Sequence, residues 1–210
     1  MLIGAAASAQ MGMRQSPMPN GVFNPMIGSG SQYEITSGDS RKTVVELAIV
    51  GKESVNGKDG YWLETTTSGT PMGDMVMKTL TVVDGSNMVI SRTIMQMPGH
   101  PPMEMSTQMS RMGRQNQTAD IRSQADDVGV ESVTTPAGTF SCHHYRMKDG
   151  SGDTWVSDKV APFGVVKHEG KGSTMVLTKV ISDAKDKITG TPQPFDPMKM
   201  MQQMQTRPQE

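Results

Sequence analysis

Reversal signals recur at short intervals along this 210-residue chain, and they leave few folds open to it. In Thr135-Pro136-Ala137-Gly138 a proline, with its fixed φ, is followed two residues later by a glycine free to take φ > 0, which is what a tight turn needs. Both flanks are rich in β-branched and aromatic residues, so this stretch reads as the centre of a β-hairpin. Asp149-Gly150-Ser151-Gly152 makes a second reversal and Lys159 to Pro162 a third. Upstream, Asn56-Gly57-Lys58-Asp59-Gly60, Ser68 to Asp74 and Asp84-Gly85 separate apolar or alternating runs: Thr43 to Val50, Tyr61 to Thr67, Met75 to Val82 and Met88 to Met95. With Tyr33 to Thr36 at the start and Thr174 to Ile181 at the end, about ten strands are expected. A single curved antiparallel sheet, or an open half-barrel, is the natural way for such a meander to bury one face.

Composition agrees with a mainly β chain. Hydrophobic residues make up 35% and aromatics 4%, while 22 Gly and 13 Pro suit many turns better than a helical bundle. A formal charge of −1 supplies no broad positive field, which argues against nucleic acid as a partner. No apolar run approaches the ~18 residues of a transmembrane helix. Leu2 to Ala9 is small and apolar and ends in Ala7-Ser8-Ala9, the pattern cut by signal peptidase, so residues 1–9 read as a signal-peptide remnant and the protein as periplasmic or secreted. Cys142 is the single cysteine and allows no internal disulfide.

The expected organisation is a flexible arm over 10–30, an antiparallel β domain over 31–183, and a polar Pro/Met-rich tail over 184–210. The tails are expected to be disordered, except that Asp196-Pro197 has the form of a helix start. Inside the domain, residues 97–127 break the strand pattern and read as a Met/Pro-rich insertion. Met105, Met109 and Met112 in it fall at helical spacing, and it is expected to lie as a lid over one opening of the sheet.

The order Pro136-Ala137-Gly138-Thr139-Phe140, then Trp155-Val156-Ser157, then Pro162-Phe163-Gly164-Val165-Val166-Lys167 resembles exported bacterial domains of unknown function with a curved antiparallel sheet. These are similar to the half-barrels of periplasmic lipoprotein carriers. The resemblance implies fold and compartment, and it brings no catalytic residue. The carriers plug their sheet with helices, and this sequence has no clear counterpart to them.

Candidate chemistry is sparse. Cys142-His143-His144 alternates across a strand, so its three ligating groups cannot converge on one ion. Ser141 has no nucleophile elbow around it, and no triad, carboxylate dyad or metal-ligand spacing occurs, so a non-enzymatic role without a cofactor is expected. Charges within apolar strands say more. Trp62, Glu64, Lys78 and Arg92 form a candidate ligand-binding group, with Glu64 expected opposite Lys78 as a cross-strand pair; the ligand would be an apolar or amphiphilic molecule such as a lipid, or a partner chain. The alternative rests on the 21 methionines. Thioether sulfur selects Cu(I), and Met95, Met97, His100, Met103 and Met105 have spacing that suits a periplasmic copper site. Methionine also serves as adaptable filling for irregular apolar surfaces.

Overall fold

The computed structural model of the chain describes residues 21–38, 40–70, 73–106 and 117–196. The strands are β1 (Gly30–Ser37), β2 (Lys42–Val55), β3 (Lys58–Ser68), β4 (Met75–Asp84), β5 (Asn87–Gln96), β6 (Met103–Met105), β7 (Gln117–Thr118), β8 (Ala125–Thr135), β9 (Gly138–Met147), β10 (Gly152–Val156), β11 (Val165–Gly170), β12 (Ser173–Ile181) and β13 (Gln193–Pro194). Ten of these have five residues or more, as the turn spacing predicts. The helical structure among the described residues is one 3-10 turn, Ile121–Ser123.

All thirteen strands among the described residues belong to one sheet, in the order β13-β6-β5-β4-β3-β2-β1-β12-β11-β10-β9-β8, with β7 pairing β5 off that path. Two consecutive meanders are thus joined by the antiparallel pairing of β1 with β12, Tyr33 opposite Leu177 and Ile35 opposite Met175. The sheet stays open, with β8 as one edge. Turn chemistry matches sequence where it matters most. Asn56 and Gly57 both take positive φ between β2 and β3, as a two-residue hairpin of this twist requires. Gly164, in the Pro-Phe-Gly-Val-Val-Lys stretch, has φ +75°, and a Cβ there would lie 2.7 Å from Val156 Cγ1.

Alternation assigns the faces. Tyr33, Val45, Leu47, Ile49, Leu63 and Leu177 are buried on one of them. That core face is covered by Phe23 and by the β10–β11 connection, through Val160 and Phe163, all in the same apolar cluster. Phe23 sits 5.3 Å from Phe163 and edge-on to Tyr61 at 6.3 Å between ring centroids. Tyr33 anchors the cover by donating its hydroxyl to the Val165 carbonyl at 2.9 Å. Loop residues and the segment before β1 thus cover the core face.

Three segments are more structured than their composition predicts. Residues 21–30, assigned to a flexible arm, are tied down by Val22 N–H to the Phe163 carbonyl at 2.9 Å and Phe23 N–H to the Ala119 carbonyl at 2.8 Å. The insertion 97–127 contributes β6, β7 and the 3-10 turn, and β8 already begins within it at Ala125. Residues 184–196, assigned to the tail, form a strap along the sheet that ends in β13, parallel to β6. In the arm and the strap the order comes from hydrogen bonds to residues distant in sequence, and local patterning cannot encode those. The signal-like residues 1–9, the helix expected across 105–114 beyond Ser106, and the helix starting at Asp196 lie outside the described residues, apart from Asp196 itself.

Candidate functional site

The four residues of the candidate ligand group meet on the face of the sheet opposite the core. Glu64 stands directly opposite Lys78, and Trp62 and Arg92 flank Leu80 in one cross-strand row. Lys78 Nζ lies 5.0 Å and Arg92 Cζ 5.2 Å from the Trp62 ring, so two cations lie against the indole. Arg92 is held by Glu104 through two bonds, 2.8 and 3.2 Å.

The expected Glu64–Lys78 register is present, but the ion pairing runs through the strap. Lys78 bonds Asp186, while Glu64 accepts the Lys187 backbone N–H at 3.0 Å. Lys187 Nζ reaches Glu46 at 2.5 Å and Thr66 at 3.1 Å. Glu64 is 2% exposed, and burial raises its carboxyl to about 7, against the Lys187 N–H that favours the charged form. Burial also acts on Asp186, but the Lys78 ammonium outweighs it and holds that carboxyl below its usual value. The group thus closes on the chain's own strap.

A cavity of about 400 Å³ opens on the same side of the sheet, in its other half. Trp155, Lys167 and Val176 stand opposite one another across β10, β11 and β12, and Val176 pairs with Glu34, one residue out of phase with the core pair Tyr33–Leu177. The end of β8 and the Pro136 turn curl over these three, adding Glu131, Val133 and Thr135 to the lining. Trp155 donates its indole N–H to Glu131, stacks on His144 at 4.5 Å, and carries Lys167 Nζ 4.9 Å above its ring. His144 is itself fixed between Asp153 at 2.7 Å and Glu131 at 3.2 Å. One wall is apolar, and one end carries an ammonium group. The sequence marked the Pro-Ala-Gly-Thr-Phe turn and Trp155 only as fold signals, since the overhang that makes them a wall is a tertiary feature.

Cys142, His143 and His144 diverge as alternation requires. His143 turns to Asp127 at 3.2 Å and stacks on Tyr145, whereas Cys142 is buried, with its thiol on the Phe140 carbonyl at 3.6 Å. Burial and then Glu131 push its thiol up to about 11. No group of three His, Cys, Asp or Glu suited to a metal ion occurs among the described residues. Of the methionine set, Met95 lies in β5 and Met103 and Met105 in β6, with Met95 opposite both Met77 and Met103. Met97 and His100 bound a turn closed by the His100 N–H to the Met97 carbonyl at 3.1 Å.

No protein-family model matches this chain, and no curated protein does. Two solved structures are similar to it. One is a "putative exported protein with YmcC-like fold" from Bacteroides fragilis, at 13% identity and TM-score 0.37, covering 77% of this chain and 99% of the other. The second is a "putative lipoprotein" from Parabacteroides distasonis, at 13% identity and TM-score 0.38, covering 78% and 100%.

Proposed function

We propose that the protein is exported and works by binding rather than catalysis, taking a small amphiphile with an anionic head group into the cavity beside Trp155. The observation that carries this reading is the cavity itself. Its volume of about 400 Å³ is within the usual range for small-molecule sites, and its lining sets Val133, Trp155 and Val176 beside the polar Glu131, Thr135 and Lys167. Val133, Val176 and the Trp155 ring suit an acyl or aromatic body. Lys167, already drawn to the indole face and to Glu169 at 2.6 Å, is the cation that a carboxylate or sulfonate would meet. Export is supported by the Ala7-Ser8-Ala9 pattern.

Native mass spectrometry of the purified protein should show a co-purified small molecule. Decanoate should quench Trp155 emission, and Lys167→Gln should weaken decanoate about tenfold while leaving neutral decanol unchanged, as expected for one charge-assisted contact. Trp62→Phe, on the strap side, should keep the response. Quenching that survives Trp155→Phe but not Trp62→Phe would move the site to the strap cluster and refute this assignment.

A further inference from the structure

We infer that Met77, Met95 and Met103 form a Cu(I) site on the core face of β4, β5 and β6. The register places the three in one row: Met77 opposite Met95, and Met95 opposite Met103. Residues directly opposite in antiparallel strands share a face, and adjacent strands lie about 4.8 Å apart, so three flexible thioether arms rise from one short line of backbone. The row continues the core face, because Met77 stands opposite Thr65, two residues along β3 from buried Leu63.

Among the described residues, this row lies outside the buried apolar core. Met88 and Met175 belong to the apolar cluster, and Met77, Met95 and Met103 do not. They are half-buried, and their neighbours on the same face are Thr65, Thr79 and Thr93, each buried at 6% exposure or less. Neutral hydroxyls thus flank neutral, soft and half-buried thioethers. Thioethers favour Cu(I) over divalent ions, and methionine tolerates an oxidising compartment that would consume thiolates. Of the residues that spacing alone suggested, Met95 and Met103 stay in the site and Met77 joins them. Met105 stands opposite Thr93 in the next row, and Met97 and His100 sit beyond the end of β5.

Anaerobic titration with Cu(I) against a chromophoric chelator should give one site tighter than micromolar. Met77→Leu, Met95→Leu and Met103→Leu, which preserve volume, should each weaken it about tenfold or more through loss of one soft ligand. Met97→Leu with His100→Ala should leave it unchanged. On the unaltered chain, Ag(I) should protect Met77, Met95 and Met103 from peroxide oxidation, read by peptide mass spectrometry, and should leave Met26 exposed to it. Affinity weaker than micromolar, undiminished binding in the triple Leu variant, or protection confined to other methionines would each overturn the proposal.

Discussion

Glu64 is the residue whose chemistry the fold has altered most visibly. Its carboxyl titrates near 7 when folded and near 4.5 when unfolded, so between those values the folded state holds a proton that the unfolded chain has lost. Stability from this group is therefore full below about pH 4.5 and declines as pH rises through about 7, by about 3 kcal/mol if the whole shift is expressed. Asp186 has the opposite sign: its lowered value contributes stability above its usual range and loses it in acid. Glu64→Gln keeps an oxygen for the Lys187 N–H and removes the titration. Urea unfolding of that variant should show a flatter profile from pH 5 to 8 than the parent, and an unchanged slope would contradict the assignment. Cys142 offers a second check, since a buried thiol pushed up to about 11 should react with iodoacetamide only on unfolding. Residue spacing alone made the Glu64–Lys78 register legible. It could not reveal Asp186 and Lys187, because side chains more than a hundred positions away leave no trace in local periodicity.

At the level of elements, the ten longer strands were readable because each combines alternation with a turn that only certain residues can make. β6, β7 and β13 were not, since two or three residues carry no period, and such short pairings exist only where the rest of the sheet presents an edge. The β10–β11 connection shows how much a turn residue can control. Gly164 allows the chain to fold back beneath Val156 and bring Phe163 and Val160 onto the core face. Gly164→Ala meets both an unfavourable φ and the Val156 side chain, and should cost more than about 1 kcal/mol in chemical denaturation. Gly57→Ala, with nothing near the added Cβ, should cost less. Equal losses would show that the backbone angle alone matters.

Seen whole, the sheet carries most of its apolar core on one face and the strap cluster on the other, where the end of β8 curls over Trp155 and extends the apolar cluster around the cavity. The strap reaches across half of that other face, from the Ala184 N–H on the Gly28 carbonyl at 2.8 Å to the Phe195 N–H on the Glu104 carbonyl at 2.9 Å. Between these ends it separates two charges that the register sets directly opposite, by giving Asp186 to Lys78 and the Lys187 backbone to Glu64. In the full chain, Glu64→Lys loses the Lys187 backbone N–H and Lys78→Glu loses Asp186, so the double exchange restores neither contact and the two losses should add. A chain ending at Asp183 keeps the opposite face and its core, and should still fold, with lower thermal stability. Glu64 and Lys78 then become each other's nearest charges, and the same double-mutant cycle should show a coupling of roughly 0.2 to 1 kcal/mol, the range for opposed charges on paired strands. Measuring the cycle in both lengths separates the register, which the strands set, from the pairing, which the strap sets; equal coupling in the two would mean that the strap does not govern this face.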